Sequence, residues 1–185
     1  DFLACGGHKW LMATQGIGFL YCTEAMQAQI DPPAGWLHGP VDWENLDDYE
    51  LRFHDDATRF RLGTTNNTGI AALNAALGLY LDAGPAGCED RVLQNARHLA
   101  DGLAERGFER YGSADPAHAS GIVTLAPERT GVDPEALFEH LQSHGITGAL
   151  RNRKLRLAPT YYNTAEEMER VLSVIDAFEP AAVAG

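Results

Sequence analysis

The stretch Cys5-Gly6-Gly7-His8-Lys9-Trp10-Leu11 lies near the start of the chain, between two short apolar runs. These runs, residues 2–5 and 17–22, are bounded by glycines and predict two short buried strands. Lys9 is one of only two lysines in the chain, and arginines supply nearly all of the remaining positive charge. A lysine held between glycines at a strand end is therefore a candidate for chemistry rather than for solubility.

Composition limits the classes of function that the chain can have. Its 185 residues are enough for one hydrophobic core and a smaller second one. A formal net charge of -12 argues against nucleic-acid or anionic-membrane partners, which bind basic surfaces. No apolar run is long enough to span a membrane and no signal-peptide pattern opens the chain, so the sequence predicts a soluble cytoplasmic protein.

Two other features of the sequence bear on its class. Its three cysteines lack metal-ligand spacing, which argues against a disulfide framework and against a zinc site. The chain has no initiator methionine and enters an apolar segment directly at Asp1. We therefore expect it to be the C-terminal part of a longer protein.

The middle and end of the chain predict helices followed by a small α+β region. Helical spacing of apolar residues predicts helices over 69–82 and 88–106, ended by Gly84-Pro85 and by Gly107. Beyond Gly107, short strand patterns alternate with helices, which is typical of a small α+β domain. The strands are predicted over 121–125, 146–150 and 155–158, and the last two are expected to pair across 151–154. Asp133-Pro134 opens one helix, and the capping box from Thr164 to Glu167 opens the last one.

Residues 31–58 show little periodicity and are rich in Pro, Gly, Asp and aromatic residues, namely Trp36, Trp43, Tyr49 and Phe53. One interpretation is that the aromatic rings pack a surface loop onto the body of the protein. The other is that this long loop lines a site or a partner subunit, since loops of this length are usually functional. The sequence favours the first interpretation and leaves the second open.

Three separated segments could carry chemistry: His8-Lys9, Arg59-Phe60-Arg61-Leu62-Gly63-Thr64, and Leu155-Arg156-Leu157-Ala158 leading to Tyr162-Asn163-Thr164. Each alone has an ordinary explanation, as a surface lysine, a helix cap or an ion-pair partner. In this order and spacing, however, they resemble the pyridoxal-phosphate enzymes of the class V aminotransferase family, which includes cysteine desulfurases, selenocysteine lyases, kynureninases and isopenicillin N epimerase-like proteins. The resemblance extends from Asp1 to about Phe178 and corresponds to the C-terminal half of the family.

The resemblance implies a role for each of four residues. Lys9 would be the catalytic lysine that forms the Schiff base with pyridoxal 5'-phosphate, for which an amine can lose its proton and a guanidinium cannot. His8 would lie beside the cofactor phosphate, and Thr64 would bind the phosphate of the cofactor in the other subunit of a homodimer, at a helix start suited to anions. Arg156 would hold the carboxylate of an amino-acid substrate with its bidentate guanidinium.

The resemblance also implies an architecture of the α/β class. It is the end of the large cofactor domain of a fold type I enzyme (1–65), connecting helices (66–106), a small α+β C-terminal domain (107–179) and a tail (180–185). The aspartate under the pyridine nitrogen, the residue that stacks on the cofactor ring and the N-terminal phosphate-binding loop would lie upstream of Asp1. This chain alone would therefore lack part of its cofactor site and would be inactive.

Departures from the family pattern narrow the reaction. Ala13-Thr14 stands where the family often has Gly-Pro, and Gly6 replaces a common serine. Desulfurases carry a nucleophilic cysteine ahead of the carboxylate-binding arginine, whereas no cysteine follows Cys88. The sequence thus favours an aminotransferase, lyase or epimerase over a cysteine desulfurase. The alternative from another class is a non-catalytic relative, or an isolated domain that serves in assembly or partner binding.

Overall fold

A computed structural model describes residues 1–47, 50–113 and 115–178. The chain divides into two compact units, Asp1–Asp82 and a second unit that begins at Ala83. The helices are Glu24–Gln27 (α1), Asn67–Ala83 (α2), Pro85–Glu105 (α3), Pro134–Ser143 (α4) and Ala165–Asp176 (α5). The strands are Phe2–Gly6 (β1), Gly18–Cys22 (β2), Val123–Leu125 (β3), Ala149–Arg151 (β4) and Lys154–Leu157 (β5).

In the first unit, β1 and β2 form an antiparallel ribbon whose register runs from Phe2 opposite Cys22 to Gly6 opposite Gly18. The two predicted strands are confirmed, but the prediction that they are buried is wrong. Leu3 is 54% and Leu20 62% exposed. In the register of the ribbon, Leu3 and Leu20 lie on opposite faces, so both faces are accessible.

The long helix of the first unit, α2, begins at a polar cap and ends where the sequence predicts. The Asn66 side chain accepts a hydrogen bond of 2.9 Å from the backbone N–H of Gly69, which satisfies one of the free donors of the first turn. The helix ends at Ala83, because Gly84 takes a positive φ of 85° and Pro85 opens the next helix.

The second unit contains a three-stranded sheet in the order β3-β5-β4, with both pairs antiparallel. The predicted pairing of the last two strands is confirmed, although β4 begins at Ala149 rather than at residue 146. Ile146 instead closes the end of α4, donating its N–H to the Leu141 carbonyl at 2.9 Å, and its side chain is buried in the core. Ile146, which the sequence pattern assigns to a strand, thus packs at the end of a helix instead.

The hydrophobic core of the second unit is formed by one face of the sheet and by three helices, α3, α4 and α5. Both caps predicted for the later helices are confirmed: Asp133 accepts from the N–H of Ala136, and Thr164 and Glu167 form a reciprocal capping box. No helix within the described residues is long and apolar enough to cross a membrane. The most deeply buried side chains of the core are Leu99, Leu103, Val123, Leu125, Leu137, Leu141 and Leu155.

Candidate active site

Lys9 lies in the loop that joins β1 to β2. This loop is closed by backbone hydrogen bonds from Gly7 N–H to the Ile17 carbonyl (2.9 Å), from Ala13 N–H to the Gly7 carbonyl (2.8 Å) and from Met12 N–H to the Lys9 carbonyl (2.9 Å). The side chains of His8 and Lys9 are both exposed. Within the described residues, the Lys9 amine has no hydrogen-bond or ion-pair partner.

Glycines allow the loop to take this shape. Gly7 is buried, and a Cβ atom there would lie 2.9 Å from the Ile17 carbonyl oxygen and 3.2 Å from the Cβ of Ala13. A Cβ on Gly18 would overlap the Cys5 carbonyl oxygen. The two strand ends therefore approach each other more closely than side chains allow, and this close approach fixes the backbone on either side of Lys9.

Thr64 lies three residues before α2 and is exposed. The first unit brings the start of this helix close to the Lys9 loop, since the side-chain amide of Asn66 donates to the Gly16 carbonyl at 3.4 Å. The dipole of a long helix favours an anion at its start. Two N–H groups of the first turn already have partners, however, since Asn67 donates to the Thr65 carbonyl and Gly69 to the Asn66 side chain, both at 2.9 Å. The predicted phosphate-binding segment thus lies at a helix start whose dipole suits a phosphate.

Arg59 adds an unsatisfied donor to the same segment. Its Nε is buried and has no hydrogen-bond partner within the described residues, while its guanidinium lies 5.6 Å from the centre of the Phe53 ring. Buried donors are nearly always hydrogen-bonded in folded proteins. The primary amine of Lys9, the helix start after Thr64 and the unpartnered Arg59 N–H are groups of the chemical types that bind a phosphorylated aldehyde such as pyridoxal phosphate.

The aromatic loop supports neither interpretation alone. Phe53 is half-buried against His38 of the same loop, with ring centres 4.9 Å apart, so this contact is internal to the loop. Trp36 and Trp43 are both more than half exposed and contact each other edge to face at 5.9 Å. Tyr49, the remaining predicted aromatic residue, lies outside the described residues.

Arg156 lies in the second unit, on the central strand β5. It is exposed, whereas its neighbours Leu155 and Leu157 are buried in the core. Its register partners are Thr124 on one side and Ala149 on the other. Arg156 also lines a cavity of about 470 Å³, together with polar side chains that include Thr147, Asn163, Glu167 and Arg170.

The segment after Arg156 is held by a residue that sequence analysis missed. Asn95 of α3 is 4% exposed, and its amide donates to the carbonyls of Thr160 (3.1 Å) and Asn163 (3.0 Å). A signal for it exists, because Asn95 is a polar residue on the apolar stripe of α3 that also contains Ala96 and Leu99. Asn95 therefore fixes the backbone that follows the candidate carboxylate-binding strand.

Glu167 completes this anchor. Its carboxylate accepts from the Thr164 backbone N–H at 2.8 Å and from the Asn163 side chain at 3.2 Å. The hydrogen bond from the Thr164 backbone is the main cause of a lowered pKa of Glu167. The hydrogen bond from Asn163 and the positive charge of nearby Arg170 lower this pKa further. The carboxylate is therefore ionised at neutral pH and holds the turn between β5 and α5.

The connection ahead of Arg156 is a tight turn. Asn152 and Arg153 join β4 to β5 directly, with positive φ values of 47° and 58°, as in the two-residue turns of β-hairpins. The Arg153 guanidinium donates to three carboxylates, those of Glu128 (3.0 Å), Glu135 (2.8 Å) and Asp133 (3.1 Å). These carboxylates, Glu128 foremost, raise the pKa of Arg153 and hold the turn in place.

Comparison with known proteins identifies the family. The family model for Aminotransferase class-V matches residues 1–151. The chain belongs to the class V aminotransferase family. Pyridoxal phosphate is the cofactor of this family, as the resemblance predicted.

Individual relatives of this class V chain cover most of it. It is 30% identical to isopenicillin N epimerase of Amycolatopsis lactamdurans, over 95% of the chain and 46% of the relative. It is 28% identical to an uncharacterised aminotransferase of Bacillus subtilis, over 96% of the chain and 45% of the relative. Among solved structures, the apo cysteine desulfurase of Thermococcus onnurineus superimposes with a TM-score of 0.81 at 25% identity, over 96% of this chain and 46% of that one.

These comparisons confirm the predicted α/β fold class, since the mixed α/β structure matches the fold of pyridoxal-phosphate-dependent cysteine desulfurases. The chain spans about half the length of the curated relatives it matches. The predicted domain boundaries and the roles of His8, Lys9, Thr64 and Arg156 stay predictions. Within the described residues, no group of three or more His, Cys, Asp or Glu side chains could hold a metal ion.

Proposed function

We propose that this chain forms part of a pyridoxal-phosphate enzyme that acts on an amino acid as an aminotransferase, lyase or epimerase. Lys9 is its Schiff-base lysine and catalytic base, Thr64 and His8 hold the cofactor phosphate, and Arg156 holds the substrate carboxylate. The enzyme works as a homodimer, because the resemblance places Thr64 at the cofactor of the partner subunit. Its proposed location is the cytoplasm, as the sequence predicts.

The observation that carries the proposal is the place of Lys9 on the tight β1–β2 loop of a chain that matches the class V aminotransferase family. The Lys9 amine is exposed and has no partner among the described residues, and its backbone is fixed on both sides by close glycine contacts. An amine already engaged in an ion pair would have to break that pair before attacking a carbonyl. Lys9 is instead available, on a short and well-defined loop.

The remaining roles follow from the chemistry of the side chains. Bound pyridoxal phosphate supplies an electron sink for negative charge that develops at the substrate Cα. Lys9 would hold the cofactor through its side-chain amine, and the same amine, once freed, would move the proton at the substrate Cα. Arg156 orients the substrate, since a guanidinium binds a carboxylate through two parallel hydrogen bonds.

The β4–β5 turn supports this reaction class over sulfur transfer. Desulfurases of the family place their nucleophilic cysteine in a loop ahead of the carboxylate-binding arginine. Here that connection is reduced to Asn152 and Arg153, and no cysteine follows Cys88. A persulfide-forming cysteine has no place in this hairpin.

The experiment is cofactor labelling of the protein at its natural length. Pyridoxal phosphate is added, the protein is reduced with borohydride, and the labelled peptide is identified by mass spectrometry. We expect a visible absorption band and a label on Lys9, both lost in Lys9→Ala. The control Gln15→Ala, an exposed change in the same loop, should retain both.

Two results would contradict the proposal. One is a colourless protein that takes up no label, which would favour the non-catalytic relative. The other is undiminished labelling of Lys9→Ala, which would place the reactive amine elsewhere.

A further inference from the structure

The sheet of the second unit has one buried and one open face. Leu155 and Leu157 of β5 alternate with Lys154 and Arg156, and the two leucines are buried in the core. Because successive side chains of a strand point to opposite faces, Lys154 and Arg156 share the face away from the core. Arg156 is exposed and Lys154 half-buried on that face.

Strand register adds a third cation. Arg151 of β4 lies directly opposite Lys154 of β5, so their side chains are on the same face. Lys154 and Arg156 are two residues apart on one strand, or about 7 Å. Arg151 and Arg156 are diagonal neighbours across the pair, about 7 to 8 Å apart. We call this group, Arg151, Lys154 and Arg156, the basic face.

The basic face is electrostatically unfavourable by itself. Like charges directly opposite each other in a sheet are destabilising, and the chain as a whole carries a net charge of -12. Yet none of the three cations forms an ion pair within the described residues of the second unit.

The contacts that these cations do make leave their charge uncompensated. Arg151 donates to the carbonyl of Leu150 at 2.9 Å. Lys154 donates to the Asn152 carbonyl at 3.4 Å and lies 4.7 Å from the centre of the Tyr111 ring. Arg153, the turn residue between them, contrasts with all three, since it binds three carboxylates. Acidic side chains are thus available nearby, and they neutralise the turn rather than the basic face.

We propose that the basic face recognises an amino-acid substrate whose side chain ends in a second carboxylate. Arg156 holds the α-carboxylate, and Arg151 with Lys154 holds the distal one. This inference rests on the proposed function, because it takes from it the role of Arg156. Two carboxylates on one small molecule complement the positive charges of the three cations and suit their spacing, whereas a substrate with a neutral side chain would leave Arg151 and Lys154 unpaired.

The test compares glutarate with butyrate by isothermal titration calorimetry on the protein at its natural length. Only glutarate has a second carboxylate, and neither acid has an amine that could react with the cofactor. We expect glutarate to bind at least about tenfold more tightly than butyrate, the effect of one charge-assisted hydrogen bond. Arg151→Gln and Lys154→Gln should each remove most of this preference without weakening butyrate.

Arg97→Gln serves as the matched control, because Arg97 is an exposed arginine of α3 and lies outside the basic face. It should leave the preference unchanged. Circular dichroism establishes that each variant is folded, and Lys154→Gln tests the same prediction if Arg151→Gln does not fold. Equal binding of the two acids, or an equal loss in Arg97→Gln, would overturn the inference.

Failure of the second-carboxylate inference can be distinguished from failure of the proposed function. Label on Lys9 with no preference for glutarate overturns the second-carboxylate assignment alone. A preference for glutarate without label on Lys9 shows an anion-binding face that serves no such substrate, and overturns both. In a labelled and active protein, the ratio of kcat/KM for glutamate over glutamine should fall about tenfold in Arg151→Gln.

Discussion

Replacing Asn95 should destabilise the second unit and loosen the segment that follows Arg156. The Asn95 amide is nearly fully buried and donates to the carbonyls of Thr160 and Asn163. Each such hydrogen bond contributes about 1 kcal/mol net, and a buried acceptor left without a partner costs about 1 to 3 kcal/mol. Asn95→Ala removes both bonds, and partial access of water to the freed carbonyls limits the loss. We expect it to lower the free energy of unfolding by about 2 to 3 kcal/mol.

The assay is urea unfolding followed by circular dichroism, with Gln94→Ala as control. Gln94 precedes Asn95 on the same helix and is exposed, so its truncation should change the free energy of unfolding by less than about 0.5 kcal/mol. Asn95→Asp is a second test, because it keeps the shape but replaces the donor with a carboxylate that faces two carbonyls. If Asn95→Ala matched Gln94→Ala, or if Asn95→Asp were neutral, the anchoring role of Asn95 would be refuted.

Two further predictions concern stability. Gly102→Ala places a methyl group against the buried Leu172 side chain and should lower the free energy of unfolding by about 1 to 2 kcal/mol. Gly87→Ala, on the same helix with open space around it, should raise the free energy of unfolding by about 0.5 to 1 kcal/mol. Thermal melts of the two variants measure both effects, and equal shifts in melting temperature would contradict the packing around Gly102. The pKa of Glu167 is lowered in the folded state by its hydrogen bond from Thr164, so its stabilisation is complete above the unfolded-state pKa of about 4.3 and is lost as pH falls through the folded-state pKa. Glu167→Gln should therefore flatten the acid limb of a plot of stability against pH, and an unchanged slope would count against this linkage.

The features that sequence predicted well are those set by a few neighbouring residues. The capping box of Thr164 and Glu167, the Asp133 cap and the Gly84 stop each depend on contacts within about one helical turn. All three appear in the structure as predicted. The β4–β5 hairpin was predicted for a related reason, since two apolar runs flanked a short polar turn.

The features that sequence missed depend on contacts between distant segments. The apolar residues of β1 predicted a buried strand, but burial depends on what covers a ribbon, and residues such as Leu3 remain exposed. Asn95 is 65 residues from Thr160, whose carbonyl accepts its hydrogen bond, and no local sequence pattern predicts a contact over that separation. The basic face likewise follows only from register, because a shift of one residue would move Arg151 to the other face.

The β4–β5 hairpin also bears on the proposed role of Arg156. The turn of Asn152 and Arg153 has positive φ values at both residues, and three carboxylates hold the Arg153 guanidinium. Lengthening it would break those ion pairs and displace Lys154 and Arg156 together. Under the proposed function, this short turn would keep the spacing of the cations on β4 and β5 fixed while they hold the substrate.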